Sequence, residues 1–436
     1  MLTSLRPLNQ GLLPAGLRVP EECLSARGAA VVARKFAVFT FFLMVAGTSL
    51  AAPVEFRNFD QTLVLVNESQ GYRFANTNHY VQLAPRLIVK LWRASDYGEL
   101  QDRYPFISDI KELFFNASFI YLLVGVDEAT GLQTAIDALE RHEGVELVQP
   151  DILQLGQKAQ SERRETSGRT LDDVFGRPSE WPGGEGGGVR LAVIDDGFDL
   201  THPEFDDLTT VFSYDVSRKA LGSRPAGDND THGTKIAGIL FARADDGNDV
   251  SGLVPSAEFI AIRQPDSWTS NSLLSFQLAA LADADVVNCS WNTALLLEPI
   301  ADAITSLATY GRDGLGTPVV FASGNQGREI VSGDSEASLD AAVVVGAGDG
   351  DGHTLAFSNS GPSVDLIAYG RPLMTAQAGG GYVGFGGTSL SAALVSGLSA
   401  RLLSETPNLS LQELTQELEK RLGRPRAPHE QQSEES

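Results

Sequence analysis

Three short segments of the sequence could together supply a nucleophile, a base and an acid. Ser389 follows a run of glycines and opens an apolar helical stretch, and His232 stands in a segment rich in small residues. Asp195 comes directly after an apolar strand that ends at Ile194. A serine hydroxyl becomes a strong nucleophile only when a base takes its proton, and the base needs an acid to fix its tautomer. These side chains therefore predict nucleophilic catalysis by Ser389.

A fourth segment offers a donor for the negative charge that such an attack creates. Asn325 lies just beyond an apolar strand at 319–322. Its side-chain amide could donate to the oxyanion that forms on a carbonyl group. The backbone N–H of Ser389, at the N-terminus of its predicted helix, is the expected second donor.

The elements that must position these residues alternate between strands and helices from residue 171 onward. Continuous runs of Val, Ile and Ala predict strands that are buried on both sides, as in a parallel sheet covered by helices. In such sheets, active sites lie at the carboxyl ends of the strands. We therefore predict an α/β fold over 171–425, with a doubly wound, mostly parallel sheet and helices on both faces. The predicted strands are 189–194, 259–262, 286–288, 319–322 and 342–345.

A small α+β domain is predicted upstream, with its compact part at about 86–155. Strand-like runs at 87–92, 119–124 and 145–148 surround a segment with helical spacing at 128–140. The predicted N-terminal unit as a whole covers 53–165.

The remaining segments connect or flank these two domains. Residues 53–85 show no strong period and are interpreted as an extension, and 156–170 is a polar linker open to proteolytic nicking. A final amphipathic helix is predicted at 410–422. The last residues, 426–436, are interpreted as a disordered tail.

Residues 1–52 have the order of regions found in a leader and secretory signal peptide. Arg34 and Lys35 precede an apolar run at 36–47, and small residues follow it. That run is shorter than the roughly 20 residues that span a bilayer. We therefore predict a secreted, periplasmic or extracellular protein without a stable membrane span after cleavage. A membrane anchor or a buried helix is the alternative.

Composition excludes several other classes of protein. The 436 residues are 42% hydrophobic and 20% charged, which is typical of globular proteins. The formal charge of −23 argues against a nucleic-acid partner, since phosphate contacts need a basic surface, and 34 of the 56 acidic residues fall within 171–425. Cys23 lies upstream of the predicted cleavage point, so Cys289 would be left without a partner and is predicted to be a buried, inert thiol.

Residues 171–425 resemble the subtilisin-like serine peptidases, or subtilases. The chain order Asp195, His232, Ser389 is that of the subtilisin triad, and the residues around each position match the family's motifs. The resemblance implies a serine endopeptidase that hydrolyses polypeptide substrates through an acyl-enzyme intermediate. It also implies Asn325 as the oxyanion residue and no cofactor for the chemistry.

The small domain at 86–155 resembles the subtilase propeptide. This resemblance implies a self-processing zymogen whose own propeptide acts as chaperone and inhibitor, and we expect a monomer. A catalytically silent or narrowly specific subtilase fold, used for binding or processing, is the alternative function. A lipase or esterase is disfavoured because no Gly-x-Ser-x-Gly elbow surrounds Ser389.

The predicted substrate-binding residues depart from the family pattern. Ser290, Trp291 and Asn292 occupy the strand edge that in subtilases usually reads Ser-Leu-Gly and pairs with the substrate backbone. Ser323 and Gly324, just before the oxyanion residue, complete the predicted substrate-binding set. Because Trp and Asn are bulkier than the usual residues, we predict a narrowed pocket and a more restricted choice of substrate.

Two further features concern charge near the site. Asp196 stands where a Ser or Thr usually follows the catalytic acid. Either this second carboxylate raises the coupled pKa values and shifts the pH optimum, or it is a solvated acid without a role in catalysis. Glu204, Asp245 and Asn248 resemble the family's calcium site, since oxygen-rich ligands suit a hard cation. A solvated acidic loop explains the same residues without a structural calcium ion.

Overall fold

The computed structural model describes seven stretches of the chain. The predicted signal peptide, most of the linker and the tail at 426–436 lie outside them. Among the described residues, no helix is both long and apolar enough to cross a membrane. The described residues are 52–93, 95, 97–154, 157–158, 168–176, 184–243 and 250–422.

An antiparallel sheet forms the N-terminal domain. Its elements are β1 (Val54–Asn58), β2 (Gln61–Glu68), β3 (Gly71–Phe74), β4 (Tyr80–Trp92), α1 (Gly98–Arg103), β5 (Ile107–Phe115), β6 (Phe119–Val126), α2 (Leu132–Leu139) and β7 (Val145–Gln154). β4 pairs with β6 along one side and with β7 along the other. Leu87, Ile88 and Val89 of this central strand are fully buried, which explains its continuous apolar run.

The first three strands occupy the segment that was interpreted as an extension, so the folded part of this domain begins near residue 54 and not at 86. In β1, Val54 and Phe56 are buried while Glu55 and Arg57 are exposed. This five-residue alternation is the signature of a half-buried strand, and it was missed in the sequence.

A second sheet forms the core of the domain that follows. Its strands lie in the order β11-β10-β12-β9-β14-β16-β17-β18, and all neighbours are parallel except β11. The five predicted strands are confirmed, while β10, β11 and β18 were not predicted. The strands are β9 (Arg190–Asp195), β10 (Thr210–Asp215), β11 (Ala220–Leu221), β12 (Glu258–Arg263), β14 (Val286–Cys289), β16 (Val319–Ala322), β17 (Val343–Gly348) and β18 (Leu366–Tyr369).

Helices cover both faces of this second sheet, as predicted. Ala192 and Ile194 of β9 belong to the apolar cluster that contains α5 and α6, whereas Leu191 and Val193 belong to the cluster of α4, α7 and α8. Alternate residues of one strand thus face different helical layers, which confirms the doubly wound α/β fold. The helices are α3 (Leu171–Phe175), α4 (His232–Phe241), α5 (Thr269–Leu281), α6 (Glu298–Tyr310), α7 (Thr388–Glu405) and α8 (Leu411–Leu422).

Five short strands lie outside the parallel sheet. β13 pairs antiparallel with β7 and so joins the N-terminal sheet to the residues before α5. β19 and β20 form a hairpin before α7. The short strands are β8 (Gln157–Lys158), β13 (Ser267–Trp268), β15 (Trp291–Asn292), β19 (Leu373–Ala376) and β20 (Tyr382–Phe385).

The N-terminal domain packs on α5 and α6 and shares their apolar cluster. Trp268, the residue before α5, provides no capping side chain. Asp151 of β7 instead accepts the backbone N–H of Ser270 at 3.0 Å and its hydroxyl at 2.8 Å. Arg86 pairs with the same carboxylate at 2.6 Å. Burial raises the pKa of Asp151, so this contact places a desolvated carboxyl group in the interface.

The N-terminus of α6 is also completed by the other domain. Leu297, the residue before α6, has no side chain that can cap the helix. Asn58 Oδ1 accepts the N–H of Glu298 at 2.8 Å, and Asn58 Nδ2 donates to the carbonyl of Leu296 at 3.1 Å. Phe59, in a left-handed conformation with φ of 54°, donates its N–H to the Glu298 carboxylate at 2.7 Å. The β1–β2 hairpin therefore fixes the start of α6.

Candidate active site

The carboxyl ends of three neighbouring parallel strands carry the candidate residues. Asp195 is the last residue of β9, Ser290 directly follows β14, and Asn325 is the third residue after β16. Because β9, β14 and β16 are adjacent in the sheet, the side chains that follow them meet at one edge.

Asp195 and His232 form a direct pair. Nδ1 of His232 lies 2.8 Å from Oδ2 and 2.9 Å from Oδ1 of Asp195, and both residues are buried. The ring of His232 also meets the ring of Phe385 edge-on, with centroids 5.3 Å apart. A carboxylate on Nδ1 favours the tautomer that carries its proton there and leaves Nε2 able to accept one.

Asp196 contacts the same histidine through the backbone. Its Oδ2 accepts the N–H of His232 at 3.1 Å, and its Oδ1 accepts the N–H of Gly233 at 2.8 Å. Its own N–H donates to Asp195 Oδ1 at 2.7 Å. Asp196 is 1% exposed, so the solvated carboxylate weighed from the sequence is wrong. The carboxylate is held by the first N–H groups of α4, where a helix favours negative charge.

Ser389 is the second residue of α7, which confirms the predicted helix start. Its hydroxyl donates to the carbonyl of Ser290 at 3.0 Å, and the Ser290 hydroxyl donates to the carbonyl of Ser389 at 3.0 Å. Gly387, just before the helix, has φ of 88°, a conformation that glycine adopts without strain. The reciprocal contact ties the nucleophile candidate to the predicted substrate edge.

Two buried nitrogen atoms of the site have no hydrogen-bond partner among the described residues: Nε2 of His232 and Nδ2 of Asn325. Asn325 is nevertheless fixed in orientation, because its Oδ1 accepts the N–H of Thr388 at 3.1 Å. Gly324 donates its N–H to the hydroxyl of Thr388 at 3.2 Å. Unpaired buried polar atoms are rare and costly in folded proteins, and a catalytic role is one of the reasons for which they are retained.

Trp291 lies in the core and not across a substrate cleft. Its Nε1 donates to the carbonyl of Ile194 at 2.7 Å, and its ring meets Phe321 edge-on. Asn292 likewise points inward and donates to the carbonyl of Ala322 at 3.1 Å. The prediction that these two side chains narrow the substrate pocket does not fit these contacts. A buried indole N–H needs an acceptor, and that of Trp291 finds it in the Ile194 carbonyl at the end of β9.

The backbone of the same edge pairs with another part of the chain. β15 and β8 are antiparallel, with Trp291 opposite Lys158 and Asn292 opposite Gln157. Residues 157–158 thus pair with the edge at which substrate pairing was predicted. Ser323 stays behind this edge, where its hydroxyl donates to the carbonyl of Asn359 at 3.3 Å.

Glu336 was not singled out from the sequence. It is buried, and its carboxylate accepts the N–H of Thr293 at 2.8 Å and the Thr293 hydroxyl at 2.9 Å. Burial raises the pKa of Glu336. Thr293 directly follows β15, so this pair anchors the end of the predicted substrate edge. Glu336 begins a three-residue 3₁₀ helix, and a single acid in so short an element has no spacing that would reveal such a role.

The described residues do not by themselves form the calcium site that the sequence suggested. Glu204 is buried, and its Oε1 accepts the hydroxyl of Tyr382 at 2.5 Å. No group of three or more His, Cys, Asp or Glu in the described ranges could hold a metal ion. Asp245 and Asn248 lie outside the described residues. His202 has a structural contact, because its Nδ1 accepts the N–H of Glu204.

Cys289, the last residue of β14, is fully buried, as predicted. Burial raises the pKa of its thiol well above the ordinary value, with the carboxylates of Glu336 and Asp195 acting in the same direction. A thiol in these surroundings stays protonated and is a poor nucleophile.

Comparison with known proteins places these features in a family. Residues 186–432 match the subtilase family of S8 peptidases. The chain is 30% identical over 338 residues to a calcium-dependent protease of Nostoc sp., covering 65% of this chain and 50% of that protein. It is 30% identical over 225 residues to a thermophilic serine proteinase of Bacillus sp., covering 51% and 53%. The chain thus spans about half the length of the curated relatives it matches.

Solved structures share the fold. Fervidolysin of Fervidobacterium pennivorans, a keratinolytic enzyme related to subtilisin, superposes with a TM-score of 0.60 at 18% identity, covering 85% of this chain and 61% of that one. The epidermin leader peptide processing serine protease of Staphylococcus aureus superposes with a TM-score of 0.57 at 16% identity, covering 77% and 92%. At these identities the likeness concerns the fold alone.

Proposed function

Because the chain belongs to the subtilase family of serine peptidases, we propose that it is a serine endopeptidase whose catalytic residues are Asp195, His232 and Ser389. The substrate is a polypeptide, and the product of the first step is an acyl-enzyme on Ser389. The relatives named as proteases support this assignment.

The chemistry follows from the atoms that the site leaves unpaired. The Ser389 hydroxyl turns from the Ser290 carbonyl to Nε2 of His232, which takes its proton as Oγ attacks the peptide carbonyl carbon. Asp195 stabilises the imidazolium through Nδ1. The imidazolium then gives the proton to the leaving amine, and a water molecule hydrolyses the acyl-enzyme by the same path.

Asn325 supplies the donor for the oxyanion in this proposal. Its Nδ2 has no partner among the described residues, while its Oδ1 is held by Thr388. A donor that is already oriented and desolvated stabilises the developing charge without reorganisation. The pair of unpartnered nitrogens, Nε2 of His232 and Nδ2 of Asn325, is the observation that carries the assignment.

The N-terminal domain acts, in our proposal, as a chaperone and inhibitor that is cut away by the enzyme itself. The pairing of β8 with β15 supports inhibition, because it occupies the edge that a substrate backbone would use. The capping of α5 by Asp151 and of α6 by Asn58 supports a role in folding, since each helix otherwise begins with an unsatisfied N–H.

Export and calcium belong to the same proposal. The apolar run at 36–47, with its basic and small-residue flanks, supports a signal peptide and secretion. A structural calcium ion is supported by the acidic loop at 245–249 and by the names of two relatives, both calcium-dependent proteases. A melting temperature that falls on adding a chelator supports the ion, and an unchanged one contradicts it.

The proposal is tested by expressing the full chain with export, beside Ser389→Ala and the control Ser399→Ala. Ser399 is buried on the same helix, and its hydroxyl donates to the Val395 carbonyl at 2.7 Å, away from the site. The parent and Ser399→Ala are expected to lose the N-terminal domain and to cleave a denatured protein substrate. Ser389→Ala is expected to stay full length. Identical processing of all three proteins would contradict self-cleavage.

A second candidate is a catalytically silent subtilase fold that binds polypeptides. It is favoured by one observation, the hydrogen bond of the Ser389 hydroxyl to Ser290 in place of His232. This candidate would be supported if the parent shows no turnover and Ser389→Ala binds a polypeptide with the same affinity as the parent. Turnover by the parent excludes it.

A further inference from the structure

We propose that Asp196 is a positioning residue for the base, fixing the backbone of His232 while the neighbouring Asp195 fixes its ring. The inference rests on the proposed function, because it concerns the same catalytic histidine. The shift of the pH optimum considered from the sequence stays a separate prediction for the same residue.

The helix that begins with the base has no cap of its own. α4 starts at His232, and Thr231 before it makes no side-chain capping bond. Its first two N–H groups, of His232 and Gly233, are instead accepted by the two oxygens of Asp196 at 3.1 and 2.8 Å. The acceptor comes from a different element, the turn after β9, and so ties α4 to that strand.

A carboxylate suits this position better than the hydroxyl usual in the family. It offers two acceptor oxygens in one plane, whereas a Ser or Thr side chain offers one oxygen. Its negative charge is also favourable at the N-terminus of a helix. With 1% exposure, the group is shielded from competing water.

The two neighbouring acids act on one histidine as a unit. Asp195 accepts from Nδ1 of His232, and Asp196 accepts from its backbone nitrogen. The N–H of Asp196 donates to Asp195 Oδ1, so that the two carboxylates are also fixed relative to each other. With backbone and ring both held, the direction of Nε2 is set before substrate arrives, and this preorganisation is what proton transfer requires.

The kinetic test compares Asp196→Asn and Asp196→Ser with the control Asp199→Asn. Asp199 also accepts two backbone N–H groups, of Gly379 at 2.8 Å and Thr201 at 3.2 Å, but none from α4. Asn at position 196 replaces one carboxylate oxygen with an NH₂ group, which would face the backbone N–H of His232 or Gly233 instead of accepting from it.

We expect Asp196→Asn to lower kcat by roughly 10- to 100-fold, as for a misplaced catalytic group, with KM within about twofold of the parent. Asp196→Ser should recover part of the loss, and Asp199→Asn should behave as the parent. An unchanged kcat in Asp196→Asn, or an equal loss in Asp199→Asn, overturns the proposal.

A second measurement does not depend on activity. In the Ser389→Ala background, amide hydrogen exchange at His232 and Gly233 should be slow and should accelerate in Asp196→Asn, while exchange in β9 and at the end of α4 stays unchanged. Unchanged exchange at both amides overturns the positioning role even if no variant cleaves a substrate. Absence of Ser389-dependent cleavage in the parent, with the exchange result as expected, would count against the proposed function and not against the contact.

Discussion

His232 is held on three sides, and each contact restrains a different degree of freedom. Asp195 restrains ring rotation through Nδ1, Asp196 restrains the backbone, and the edge-on ring of Phe385 covers the imidazole. Among the described residues, the polar atom of this side chain left unpaired is Nε2. Because Nδ1 and the backbone N–H of His232 are both hydrogen-bonded, Nε2 is the nitrogen of this residue that is left to accept a proton.

Asn325 is expected to contribute to the transition state and not to substrate binding. Replacing it with Ala should lower kcat about 10²- to 10³-fold, or about 2.7–4 kcal/mol, the range known for the corresponding donor of subtilisin. KM should change little, because the oxyanion exists only after attack. Steady-state kinetics with a peptide substrate check this, with the melting temperature as control for loss of the Thr388 contact. A rise in KM at constant kcat would contradict the role.

Glu336 is expected to make stability depend on pH. Burial raises its pKa, so the folded protein binds this proton more tightly than the unfolded chain does. Its stabilising contribution is therefore fully present below the ordinary Glu pKa of about 4.3, and it is lost as the pH rises through the raised value. Gln at this position still accepts the Thr293 N–H, can donate to the Thr293 hydroxyl, and carries no charge.

Glu336→Gln should accordingly gain stability relative to the parent as the pH is raised from about 4 to about 8. Urea unfolding in the Ser389→Ala background, at several pH values, measures the difference in free energy of unfolding. A difference that is constant with pH, or that turns against the variant as the pH rises, would refute the assignment.

At the residue scale, the sequence predicts side chains whose chemistry is carried by a local motif. Asp195 and His232 were found because each stands in a short, characteristic segment, and the structure pairs them directly. The orientations of Trp291 and Asp196 could not be found in this way. Both depend on acceptors or donors that lie far away in the sequence, the carbonyl of Ile194 in one case and the start of α4 in the other.

At the scale of elements, the starts of α5 and α6 show how the two domains depend on each other. Both helices lie in the shared apolar cluster, and both begin with residues that cannot cap them. Asp151 and Asn58 reach them from different strands, β7 and β1. The contact at α6 gives the N-terminal domain a second attachment point, away from the predicted substrate edge.

Asn58→Ala should weaken docking of the N-terminal domain by roughly 0.5–2 kcal/mol, the usual cost of losing a helix cap. The measurement uses Ser389→Ala with a site for a specific protease inserted between residues 160 and 165, so that the linker is cut without self-processing. Size-exclusion chromatography of the cut protein then reports how much of the N-terminal domain stays bound at increasing dilution.

The matched control for this experiment is Asn78→Ala, on the exposed turn between β3 and β4. It should dissociate at the same dilution as the parent, whereas Asn58→Ala should dissociate at a higher protein concentration. Equal dissociation of Asn58→Ala and the control would show that the β1–β2 hairpin does not contribute to docking.

Strand prediction succeeded where burial on both faces leaves a continuous apolar run, as in β9, β12 and β16. It failed for β10, which is partly exposed and mixes Thr, Ser and Asp with aromatic residues. β10 is stabilised by pairing with β11 on one side and β12 on the other, and such pairing cannot be seen in a local window of the sequence.

At the scale of the whole molecule, the order of two domains could be predicted, but their interface could not. The shift in composition at the linker separates a nearly neutral N-terminal part from the acidic segment 171–425. The interface depends on matched groups such as Lys90 and Asp302, which are 2.7 Å apart and come from different domains. The spacing of residues along one sequence does not indicate which distant residues will pair.

In the proposed mechanism, Ser389 is a nucleophile activated by His232. This activation is tested most directly by treating the processed protein with a fluorophosphonate and locating the adduct by peptide mass spectrometry. One adduct, on Ser389, is expected in the parent and in Ser399→Ala. In His232→Ala, processed instead by a specific protease at a site inserted between residues 160 and 165, the adduct is expected to be lost. A processed parent in which Ser389 remains unlabelled, or an equally fast adduct in His232→Ala, would contradict it.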